Sequence, residues 1–123
     1  MPKFGSDADG FSVVFEDASR SLRVRAWGFW APDVAASFAT TVIDACRAAR
    51  RATELVVDAT DLKPQREEGQ LALSTLLGAL PGLGITQASI VTGNPLTKLQ
   101  LMRIAGSTAS KAIVQFSSKV GAK

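Results

Sequence analysis

A chain of 123 residues, 46% of them hydrophobic, is long enough to bury one core and too short for two ordinary domains. Its 14 basic and 11 acidic residues leave a net charge of +3 that is scattered along the chain, so nucleic-acid binding is not favoured. With no histidine and a single cysteine, Cys46, the sequence has no Ser-His-Asp triad, almost no zinc ligands and no internal disulfide.

The polar start from Met1 to Gly10 has no apolar signal core, and no run approaches the roughly 18 apolar residues that span a bilayer. A cytoplasmic protein is expected. Phe11, Val13 and Phe15 then alternate with Ser12, Val14 and Glu16, which predicts a short strand. After a polar turn over 17–20, Leu22, Val24 and Ala26 alternate with Arg23, Arg25 and Trp27, so the second strand has a core face and a basic, aromatic face. The two strands form a hairpin ended by Gly28.

Pro32 and Asp33 suit a helix start. Val34, Phe38, Val42 and Cys46, four apart, with Ala35, Ala39 and Ile43 beside them, predict a long amphipathic helix closed by Arg47, Arg50 and Arg51. From Glu54 to Ala59 the continuous Leu55, Val56 and Val57 predict a central strand covered on both faces. Leu73, Leu76, Leu77 and Leu80 mark a second helix, with a helix-like run from near Leu71, broken by Pro81, Gly82 and Gly84. A fourth strand runs from Ile85 to Thr92; Asn94 and Pro95 then cap and open a third helix that ends near Gly106. A fifth strand over Ala112 to Phe116 completes the order ββαβαβαβ. Strands alternating with helices after a hairpin predict a single α/β domain, with right-handed crossovers and a mostly parallel five-stranded sheet carrying one antiparallel edge.

The chemistry-bearing residues concentrate where the third strand hands over to the second helix. Asp58, Thr60, Asp61, Arg66, Glu67 and Glu68 lie there, and Asn94 follows the next strand. In a parallel α/β sheet these loops dock partners and ligands. Magnesium would require Asp58, Asp61, Glu67 and Glu68 to gather, with Lys63 and Arg66 competing for them, and no metal or cofactor is expected. The run Gly93 to Lys98 lacks the second glycine of a phosphate loop, and helix capping explains it better. Cys46 shares a helical face with Phe38 and Val42 and has no histidine to activate it, which fits a buried thiol. Arg23, Arg25, Trp27 and Trp30 have two readings. They anchor an interface, where a homodimer through the sheet face would hide the tryptophan; or Trp27 covers a half-open sheet while Trp30 packs under the first helix.

From Phe11 to Phe116 this order resembles the STAS domain of bacterial anti-sigma factor antagonists, within the SpoIIAA-like group. The likeness rests on the strand ending in Gly28 before a helix and on Glu54 to Leu62. In that family the strand ends in an Asp with a small or hydroxyl residue two places on, and an Asp, Ser, Ser, Gly segment opens the next helix. Here that segment reads Arg66, Glu67, Glu68, Gly69. The resemblance implies a STAS-like domain over 11–117, while the polar ends predict a disordered or extended tail over 1–10 and a frayed tail over 118–123. It also implies a non-enzymatic signalling module whose protein partner is an anti-sigma factor or kinase-like regulator. The family's phosphorylated serine has no hydroxyl counterpart here. A phosphoserine carries about 1.5 to 2 negative charges, and Glu67 with Glu68 places a comparable charge permanently at a helix start. The plainer reading is that the two acids offset the helix dipole, worth roughly 0.3 to 1 kcal/mol each. The alternative function is a small apolar ligand or lipid carrier of SEC14-like character, with Leu73, Leu76, Leu77 and Leu80 lining its pocket. An enzyme ranks last, because the inventory of acids, bases and nucleophiles is thin.

Overall fold

In the computed structural model, residues 3–49, 52–108 and 110–118 are described. The expectations placed on Arg50, Arg51 and residues 119–123 lie outside these. The strands are β1 (Lys3–Gly5), β2 (Gly10–Glu16), β3 (Ser21–Gly28), β4 (Glu54–Leu62), β5 (Gln87–Thr92) and β6 (Val114–Ser118). The helices are α1 (Pro32–Ala49), α2 (Glu67–Ala79) and α3 (Pro95–Gly106), and a 3-10 turn over Leu80–Leu83 ends α2.

The strands lie in sequence order across one mixed sheet. β2 lies antiparallel between β1 and β3, and β3 to β6 run parallel. The predicted order ββαβαβαβ therefore holds, with β1 added as a three-residue strand on the outer edge. Alternation is weak over Lys3–Gly5, and it is the pairing Phe4 with Phe11 that makes a strand of it.

Each parallel crossover advances by one strand, and crossovers of one hand then place every helix on the same face of the sheet. One core results. Phe11, Val24, Leu55, Val57 and Ile90 from the sheet meet Phe38 and Val42 of α1, Leu76 and Leu77 of α2, and Leu101 and Ile104 of α3. Burying such side chains contributes about 1.5–3 kcal/mol each. At its centre Phe11 sits edge-on to Phe38 with centroids 5.1 Å apart, and Trp30 lies 4.6 Å from Phe38.

The opposite face carries no helix among the described residues. This corrects the expectation that β4 is covered on both faces: its burial alternates, and Glu54, Val56 and Asp58 are only half-buried. Leu55, Val56 and Val57 form an unbroken apolar run, yet Val56 stands on the open face with Val14 and Val91, among polar neighbours such as Arg23 and Ser89. α2 begins at Glu67, a full turn before the apolar run at Leu71, and both acids lie in its first turn, as the segment Arg66 to Gly69 opening the helix predicts.

Candidate functional site

β4 leaves the sheet through a bulge. Arg25 pairs with Asp58 and Trp27 with Asp61, so two steps along β3 answer three along β4. An extra residue in a strand frees backbone groups from the ladder, and here the Asp58 carboxylate accepts from both the Thr60 N–H (3.0 Å) and the Thr60 hydroxyl (2.6 Å). The bulge also changes which side chains share a face. Asp58 and Asp61, three apart, both end on the open side, where Asp61 accepts from Arg25 at 3.1 Å.

Arg25 lies 4.8 Å from the centroid of Trp27. Trp27 is itself buried, not an exposed anchor, because the loop over 6–9 covers it and Ser6 O accepts from its indole N–H at 2.8 Å. The loop's fit depends on Gly28, whose φ of +78° suits glycine and whose added Cβ would lie 2.0 Å from Ala8 O. A surface cavity of about 460 Å³ opens here between Asp7, Arg25, Trp27, Asp61 and Lys63. Trp30, the other candidate anchor, belongs to the core: its indole N–H donates to Gly10 O at 3.0 Å beneath α1. The first reading of these tryptophans, as surface anchors, gives way to the second.

On the helix side, the loop between β4 and α2 is organised by Gln65, a buried polar residue that sequence reasoning passed over. Its side-chain oxygen accepts from the Trp30 N–H at 3.0 Å, and its amide donates to Gly28 O at 3.0 Å and Lys63 O at 2.6 Å. Its backbone exchanges two hydrogen bonds with the Gln100 side chain of α3, at 2.7 and 2.9 Å, and also accepts from Gln70. The tight packing around it shows at Gly69, in the first turn of α2. A Cβ on Gly69 would lie 2.7 Å from that of Gln65.

From this base α2 presents its amino end. Its cap residue, Arg66, offers no side-chain acceptor to the helix N–H groups, and its guanidinium lies 5.2 Å from the Phe29 ring centroid. Glu67 and Glu68 are exposed beside it. Phe29 is 40% and Leu71 67% exposed, so large apolar surface flanks both acids. Glu68 and Leu71 also border a groove of about 330 Å³ between α1 and α2. α3 starts differently. Asn94 accepts from Leu96 and Thr97 N–H at 2.8 and 3.4 Å, a closed N-cap as its sequence predicts.

The expected constellation thus divides. Asp58, Thr60 and Asp61 join Arg25 and Trp27 on the open face; Arg66, Glu67 and Glu68 join Phe29 on the helix side; Asn94 serves its own helix. Among the described residues, no group of three or more acids, cysteines or histidines is placed to hold a metal ion, so the four carboxylates do not gather. Cys46 is buried, and burial pushes its thiol up to about 11. Leu73, Leu76, Leu77 and Leu80 pack into the core. The pocket expected from them is not formed at the cavities described, whose linings are other residues. Among the described residues no helix is long and apolar enough to cross a membrane. No protein-family model matches the chain, and no curated protein matches it.

Proposed function

We propose that this chain is a non-enzymatic protein-interaction module of the STAS-like, anti-sigma factor antagonist kind, working in the bacterial cytoplasm. In it, Glu67 and Glu68 are a permanent negative signal at the start of α2. The observation that carries this reading is the exposed, side-chain-uncapped start of α2, where two carboxylates stand between Phe29 and Leu71. Apolar surface of this kind beside charge is typical of protein interfaces. The partner class is an anti-sigma factor or kinase-like regulator.

The test is affinity capture with the full chain as bait. Recovery of a kinase-like ATPase or sigma-factor regulator, reduced on the order of tenfold by Glu67→Ser with Glu68→Ser, supports the proposal. Recovery that ignores both changes reduces the acids to helix stabilisers, and recovery of no such regulator overturns the reading.

A small apolar ligand is the second reading, and one feature favours it. The edge of β2 and the carboxyl half of α1 leave an apolar groove of about 620 Å³ lined by Val13, Phe15, Leu22, Ala45 and Ala49. Native mass spectrometry of the purified chain decides this. Co-purified lipid promotes it, and a bare protein that ignores a lipid panel removes it.

A further inference from the structure

Two surfaces of this chain complement each other. On α3, Leu96, Leu99 and Met102 are 65%, 63% and 46% exposed, while Thr97, Leu101, Ile104 and Ala105 point into the core. The charged residues of α3 are Lys98 and Arg103. At about 100° per residue they fall on opposite flanks of this ridge. The groove between α1 and α2 is the inverse. Ala35, Ala36, Ala39 and Ala72 give it small walls, Leu71 forms its rim, and Glu68 lies at one end. Asp33 and Glu67 stand in the first turns of its two helices, and the nearby cation, Arg66, is drawn onto Phe29. Large apolar side chains flanked by positive charge face small apolar walls flanked by negative charge.

We propose that the α3 ridge of one copy seats in the α1–α2 groove of another, with Lys98 reaching toward Glu67 and Glu68 and Arg103, which donates to Gln70 of its own α2 at 2.7 Å, adding positive charge beside the ridge. Within one molecule the two surfaces cannot meet, because α2 lies between α1 and α3 in the one-sided helix layer. The contact is therefore heterologous. Every added copy leaves one ridge and one groove unfilled, so association continues into a chain or closes into a ring instead of stopping at a two-fold dimer. It needs the purified chain alone and stands or falls separately from partner capture.

Sedimentation equilibrium tests this with two variants, each carrying a like charge against its opposite surface. Leu99→Asp disables the ridge, and Leu71→Arg disables the groove. Both positions are more than three-fifths exposed, and circular dichroism with thermal melting verifies that each variant folds. Met102→Asp and Glu68→Lys replace either variant that does not. The wild type, taken to about 1 mM to reach weak interfaces, should climb past twice the monomer mass, and 1 M salt should lower that mass. Each variant alone should stay monomeric. Mixed in equal amounts, the variants should form a species of two chains and no larger, because only one live ridge and one live groove remain to meet. The proposal is overturned by a wild type that stays monomeric, by a single variant that still assembles, or by a mixture that stays monomeric or keeps growing.

Discussion

The two faces of the sheet are made from the same strands and obey different rules. On the helix-covered face Phe11, Val24, Leu55, Val57 and Ile90 interlock with three helices in one continuous core. On the open face Arg23, Arg25, Asp58 and Asp61 stand at positions alternating with these, and they make ion pairs and stacks that water competes for. Fold stability therefore rests on the covered face. The open face is free to vary without unfolding the domain.

That contrast can be broken at graded strengths. Phe38→Ala removes the ring that both Phe11 and Trp30 contact, and about 3–5 kcal/mol of unfolding free energy should be lost in a urea titration. Next comes Gln65→Leu, which leaves the buried Trp30 N–H without its partner, while Gly28 O keeps the Lys63 N–H at 3.1 Å. At about 1–3 kcal/mol for an unsatisfied group, it should cost more than any open-face substitution, and an equal cost would sink the contrast. Val57 and Val56 are adjacent and face opposite ways. By the same titration Val57→Ala should cost about 2 kcal/mol and Val56→Ala less than about 1. The smallest effect belongs to the hairpin pair. The Ser19 hydroxyl and then Arg23 hold the Glu16 carboxyl below its ordinary 4.5. Its contribution is thus present above that value and fades as pH falls through the lowered one. Arg23→Ala should raise the Glu16 pKa toward 4.5 in a carbon-13 titration, leaving the neutral-pH unfolding midpoint in place.

Most of the architecture was legible because its signals are local. The 3.6-residue spacing of Val34, Phe38, Val42 and Cys46, the Asn94–Pro95 start of α3 and the alternation in β2 and β3 each survive intact in the fold. What escaped depends on pairing across the chain. Nothing in Leu55, Val56 and Val57 says which face lacks a helix, since that follows from strand order. The bulge that aligns Asp58 with Asp61 is a property of two strands in register, and it lies where β4 runs on three residues past the predicted end at Ala59, to Leu62 beside Gly28. Gln65 was invisible for a similar reason: a polar residue after a proline looks like solvent-facing loop until Gly28, Trp30 and Gln100 surround it. Of the candidate site, Glu67 and Glu68 were placed correctly at a helix start, but their separation from Asp58 and Asp61 was not.

Gln65 has a consequence for recognition. By tying the end of β3 through its side chain, and the side of α3 and the first turns of α2 through its backbone, it leaves these three segments little independent motion to surrender when something binds. Freezing a flexible rim would cost about 0.5–1.5 kcal/mol for each side chain immobilised. A rim whose backbone is already held at Gln65 avoids part of that loss, so a molecule meeting the start of α2 would find its backbone in place before it arrives.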